Sequence, residues 1–159
     1  MLPALAGRPL RVELRRSLGP HLAATSIPRR VILLDSEVLR RRGEFERILV
    51  HEIFHFTWTR LANATRRDWE IVLHAELDRR ARGELGWSAE WRKLKLTRRD
   101  PVDRSPAWRR YVCESFCDTA AWLYAGLGEH DEFSLAARFR DVRKRWFERT
   151  FPATGPVPI

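Results

Sequence analysis

"LVHEIFHF", residues 49–56, sets two histidines and a glutamate into a run that is otherwise wholly apolar. A polar side chain left unpaired in an apolar interior costs roughly 1–3 kcal/mol, and an unpaired charge costs more. Three such groups within two turns therefore need partners. The surrounding pattern is helical from Glu44 to about Arg60. Leu49, Val50, Ile53, Phe54, Phe56 and Trp58 leave hardly any face for solvent, so this helix is expected to run through the middle of the domain. Its polar stripe is Glu44, His51, Glu52, His55 and Thr59. Residues four apart on a helix are offset by about 40°, so His51 and His55 project side by side and can grip one ion. Glu52 lies between them in angle, placed to touch water beside that ion. His-Glu-x-x-His on a helix is the zinc-hydrolase arrangement in which this glutamate is the general base. With five histidines in 159 residues, chance produces the motif in about one chain per hundred of this composition.

Two histidines do not complete a site, because a catalytic zinc takes three protein ligands and keeps one position open. The best third ligand is Glu114, in "YVCESFCDTAAWLY", residues 111–124. That segment reads as another helix, apolar almost all round, yet it carries Glu114 and Asp118 four apart on one face. Two buried acids side by side are costly without a cation nearby. With Glu114 on the metal, Asp118 can accept the distal N–H of a ligand histidine, fixing its tautomer and raising its basicity. His74 and Glu76, in "VLHAELDRR", are the rivals for the third position; they lie beside Asp78, Arg79 and Arg80, as on a solvated face. For an electrophile that steadies an oxyanion, Tyr111 sits three residues before Glu114 on the same helical face, with His130 and His74 as alternatives. A tyrosine packed in the core accounts for Tyr111 equally well.

"HEIFH" followed by "ESFCD" resembles the gluzincins, the thermolysin-like zinc metallopeptidases. The resemblance implies zinc held by His51, His55 and Glu114, with Glu52 as base and Asp118 supporting His51. It covers two helices and the strand before the first, which would match the sheet edge that aligns substrate in zincins. His55 and Glu114 stand further apart in sequence than in thermolysin-like members, and the chain looks like a minimal version without a second domain. The expected fold is α+β and zincin-like: a small N-terminal sheet packed on the central motif helix, with further helices around it.

Outward from the motif, "PLRVELRRS" alternates Leu10, Val12 and Leu14 with charged residues, predicting a strand with one buried face, and "RRVILLDS" predicts a deeper strand closed by Asp35. A helix is expected from Arg66 to about Ala81, broken at Gly83 and Gly86, with Ser88 capping a further short one. "RRDPVDRSPAW" reads as a loop ending at a Ser105–Pro106 helix start; that helix stops at Gly126, and another begins near Ser134. Residues 1–150 form one domain and 151–159, "FPATGPVPI", a proline-rich tail expected to be extended on a surface.

The chain is 44% hydrophobic, which suits a globular domain, and its apolar runs fall short of what crosses a bilayer. No secretory signal is legible at the start, so a cytoplasmic location and no membrane partner are expected. Cys113 and Cys117, four apart on a helix, read as reduced and buried. Net charge is +9, and 27 of the 30 basic residues are arginine, spread along the chain. That reads mainly as solvated helix faces. The primary expectation is a zinc metallopeptidase acting on a peptide or protein substrate. The alternative is an arginine-rich nucleic-acid-associated or regulatory protein that keeps a structural zinc site; recognition-helix and aromatic-platform signatures are absent, so it is the weaker reading. Tryptophans such as Trp58 and Trp122 are expected in the core.

Overall fold

A computed structural model describes residues 2–41 and 43–159 and gives an α+β fold. In chain order the elements are β1 (Leu5–Ala6), β2 (Arg11–Arg15), β3 (Ala23–Ser26), β4 (Val31–Asp35) and a 3-10 turn over Ser36–Arg40. There follow α1 (Glu44–Arg60), α2 (Asn63–Asp78), α3 (Trp87–Lys93), α4 (Arg99–Asp103), α5 (Pro106–Tyr124), α6 (Ala137–Thr150) and β5 (Val157–Pro158). No helix among the described residues is long and apolar enough to cross a membrane.

The main sheet has the order β2-β4-β3, with β2 parallel and β3 antiparallel to the central β4. The run "VILLD" is central because Ile32 and Leu34 are completely buried. Asp35 then ends it: its carboxylate accepts the Leu18 and Glu37 N–H groups at 2.8 and 2.9 Å, closing the turn. The buried face expected on β2 is not found. Val12 and Leu14 pair with Ile32 and Leu34 and so share the core face of the sheet, yet they are 46% and 53% exposed. Helix α1 packs over β3 and β4, and β2 overhangs at the edge.

Helix α1 has the predicted bounds and buries nearly every face, packing along α5. Phe54 and Phe116, one from each, are fully buried with ring centroids 5.9 Å apart. Helix α5 begins as its sequence demands, the Ser105 hydroxyl accepting from Trp108 N–H and Pro106 filling the first turn, and gives way to Gly126 in the left-handed region at φ 77°. Four expectations shift. Helix α2 spans Asn63–Asp78, beginning and ending earlier than the expected Arg66 to Ala81. Helix α3 is capped by no side chain of its own, Ser88 included; the loop before Ser105 contains α4; and the last helix begins at Ala137. The segment 151–159, expected to be extended, turns at residues 153–155, where Gly155 N–H donates to Pro152 O, and is extended only at its end, Val157 and Pro158 pairing in parallel with Leu5 and Ala6 while Val157 and Ile159 are buried.

Candidate metal centre

The α1–α5 contact brings His51, His55 and Glu114 together in space. Glu114 Oε2 lies 3.2 Å from His51 Nε2 and 3.9 Å from His55 Nε2. Ligand atoms on a tetrahedral zinc stand about 3.3 Å apart when the metal bonds are ~2.0–2.1 Å, so the His51–Glu114 separation matches a shared ion and the His55–Glu114 separation is wider than one. Both Nδ1 atoms are already engaged. His51 Nδ1 meets Asp118 Oδ1 at 2.7 Å, and His55 Nδ1 faces the thiols of Cys113 and Cys117 at 3.6 and 3.5 Å. Those contacts turn each Nε2 inward. Among the described residues His51, His55 and Cys117 form a compact candidate ligand group, with Cys117 Sγ against His55 Nδ1 at 3.5 Å, and Glu114 stands as the alternative third ligand on the Nε2 side of both rings. Cys113 and Cys117 are free thiols beside the site.

The electrostatics follow the geometry. Burial opposes a charge on His51, yet the Asp118 carboxylate and the Glu114 hydrogen bond hold its pKa well above the ordinary value. Burial likewise presses Glu114 up, but His51, His55 and Arg92 keep its pKa below the usual carboxylate range. Glu114 thus presents a carboxylate oxygen beside two imidazoles, a donor set that suits zinc better than a hard cation such as calcium.

Helix α3 braces both acids from outside. Arg92 holds Glu114 Oε1 at 3.2 Å, leaving Oε2 for the histidines. Asp118 Oδ2 accepts Ala89 N–H at 2.9 Å and so caps α3 from another helix; Glu132 Oε2 accepts Trp87 N–H at 2.6 Å beside it. This explains how α3 forms without a capping side chain of its own. Gly86, just before α3, admits Asp118, because a Cβ there would overlap its carboxyl group.

Glu52 is 9% exposed and lines a cleft of about 260 Å³ together with His51, Arg47, Trp87, Leu22 and the first residue of β3, Ala23. The cleft reaches His51 and Asp118, while His55 and Glu114 lie outside its lining. Arg47, one turn before His51, is fixed by Glu44 at 2.7 Å and Glu132 at 3.0 Å, and Glu44 also meets His130 Nε2 at 3.1 Å.

No family model, no curated protein and no solved structure matches this chain.

Three residues considered from sequence lie elsewhere. Tyr111 is fully buried and donates its hydroxyl to Glu84 Oε1 at 2.6 Å, so it offers no donor to a reacting group at His51 and His55. Glu76, a rival third ligand, is bidentate with Arg143 at 2.8 and 2.6 Å. His74 packs its ring on Trp108, with centroids 4.7 Å apart. Helical spacing put Tyr111 on the Glu114 face, but three residues turn a helix through 300°, and the remaining 60° is enough to carry Tyr111 into the interior. Arg92, Gly86 and the thiol pair were not singled out as parts of the site. A cysteine pair four apart, one of them buried against the histidine helix, was the only legible signal among them.

Proposed function

We propose that this chain is a zinc-dependent peptide hydrolase of the gluzincin kind, with a zincin-like fold and a cytoplasmic location where Cys113 and Cys117 persist as thiols. The observation that carries the reading is the convergence of His51 Nε2 and His55 Nε2 on Glu114 Oε2, with Asp118 behind His51. Zinc bound there would supply a Lewis acid for the scissile carbonyl and bring the pKa of water toward 7. Asp118 accepts a hydrogen bond from His51 Nδ1–H and so favours the tautomer whose Nε2 would offer its lone pair to a metal. Arg92 holds the far oxygen of Glu114 and fixes the carboxylate's orientation. Glu52, in the cleft wall, takes the proton of the attacking water on its carboxylate and passes it to the departing amine. The edge strand β3 begins on this cleft, so an extended peptide can lie beside it.

The test pairs metal analysis with hydrolysis of a broad peptide library. Purified protein should carry about one zinc per chain, and Glu52→Gln should keep that zinc and its melting temperature while cleavage falls by roughly 10²–10⁴-fold. Glutamine fills the same volume and still hydrogen-bonds, but it cannot take up the proton. A Glu52→Gln protein as active as wild type would refute the mechanism, and a wild-type protein that cleaves no member of the library would count against peptide hydrolysis.

A further inference from the structure

Eight large hydrophobic side chains are exposed among the described residues, and half of them fall between residues 87 and 102: Trp87 at 62%, Trp91 at 45%, Leu94 at 76% and Val102 at 78%. Trp87, Trp91 and Leu94 are spaced i, i+4 and i+7, so along α3 and its C-cap they project within an arc of about 60°. The opposite face of α3 is the one that braces Glu114 and Asp118. The exposed charges from Trp87 to Arg99 are all positive: Lys95, Arg98 and Arg99. The acids near them are mostly engaged, Glu90 with the Ser134 hydroxyl and Asp100 with Thr97 and Ser105, and Asp103 is exposed beside Val102. The result is a stripe of indole and aliphatic groups edged by cations that make no ion pair among the described residues, on a chain of net charge +9.

We propose that the outer stripe of α3, with Lys95, Arg98 and Arg99, docks the protein on an anionic phospholipid surface. Tryptophan favours the headgroup boundary, where its ring is buried and its N–H stays wet, while leucine and valine gain by entering the acyl region and lysine and arginine pair with acidic headgroups. The length rule that excludes a spanning segment says nothing of a helix lying in the interface. Two other occupants fit less well. Single-stranded nucleic acid needs open aromatic faces, but the Lys95 ammonium lies 3.3 Å from the Trp91 ring centroid, and Leu94 and Val102 offer no ring to stack on. A substrate peptide in the cleft would touch Trp87 and Ser88, whereas Trp91 and Leu94 lie outside the cleft lining. Docking by this stripe sets the cleft, whose wall includes Trp87, next to the lipid surface.

The test is co-sedimentation of the full chain with phosphatidylcholine vesicles with and without phosphatidylserine, at physiological salt. Binding is expected only where phosphatidylserine is present, and Trp91→Ser/Leu94→Ser should weaken it on the order of tenfold or more. These side chains are exposed, so circular dichroism and melting should match wild type; Lys95→Glu/Arg98→Glu gives a second route to the same loss through charge. Wild-type protein that stays in solution with acidic vesicles would overturn the proposal, as would undiminished binding of both double variants. Retention of a single-stranded oligonucleotide that is lost in Trp91→Ser/Leu94→Ser, without vesicle binding, would overturn it in favour of nucleic acid.

Discussion

A methyl group at Gly86 would overlap the carboxyl group of Asp118, although the backbone there, at φ 176°, is extended and open to any residue. Alanine at 86 is compatible with the local backbone but should push Asp118 away from His51 and from the Ala89 N–H that it caps. Loss of a carboxylate behind a ligand histidine typically costs 10–100-fold in metal affinity. Gly86→Ala is expected to lose zinc to a chelator at roughly that lower concentration, with helical content reduced by no more than the seven residues of α3 by circular dichroism; an affinity equal to wild type would mean that Asp118 is not needed at His51. Glu114→Ala should go further and abolish stoichiometric zinc, while His74→Ala, whose ring packs on Trp108, should retain it. Metal analysis of the two variants separates them. At this scale the sequence was informative where a polar residue broke an apolar run, as His51, His55, Glu114 and Asp118 do. It was silent on Gly86 and Arg92, whose roles arise only when α3 closes over α5, and the helical face it assigned to Tyr111 could not show Glu84 waiting there.

Among the elements, α2, α5, α6 and the segment before α3 meet at one buried ion cluster. Arg143 is fully buried and contacts Glu76 at 2.6 Å and Glu84 at 2.7 Å, while Lys93 meets Glu84 at 3.0 Å and Tyr111 donates to it. Arg143→Met would leave two buried carboxylates short of their cation, and breaking such a group costs about 3–5 kcal/mol. The variant is expected to unfold at correspondingly lower denaturant. Burial pushes Glu84 up, but Arg143, Lys93 and Tyr111 hold its pKa below the ordinary value, about 4.3 for glutamate. A lowered carboxyl pKa contributes stability that is present above the ordinary value and lost as pH falls through the folded one. Wild-type stability should thus decline below about pH 4.3, and the gap to Arg143→Met should narrow there; a gap that is constant with pH would show that the cluster is not ionised as described. The helices were legible because a 3.6-residue period over four or five turns is a strong signal, as in α1 and α5. Short strands carry little pattern: "AATS" in β3 owes its place to β4, and β2 shows the period of two without the burial, since alternation reports a shared face and not whether a helix reaches it. The exposed Arg11 and Arg15 on β2 guard that open edge against pairing with other chains.

Across the whole molecule, the two ends of the described chain are tied together far from their neighbours in sequence. Val157 and Pro158 pair with Leu5 and Ala6, and α1 packs on β5, so the last residues close over the helix that carries both histidines. Val157 is fully buried and Ile159 is 9% exposed. Burying a valine or isoleucine side chain contributes about 1.5–3 kcal/mol, so deleting residues 156–159 should cost roughly 3–5 kcal/mol once partial compaction of the unfolded chain is allowed for. For a domain of this size 1 kcal/mol corresponds to about 2–4 °C, which places the expected loss of melting temperature on the order of 6–20 °C. The metal centre should respond differently, because His51, His55, Glu114 and Asp118 are held by the α1–α5 contact and by α3, none of which β5 forms. The truncated protein is therefore expected to melt early yet keep stoichiometric zinc well below its melting temperature. Calorimetry and metal analysis on one sample decide the matter. An unchanged melting temperature would show that the terminal pairing contributes nothing in solution, and zinc lost together with stability would show that the α1–α5 contact depends on the strand that covers it.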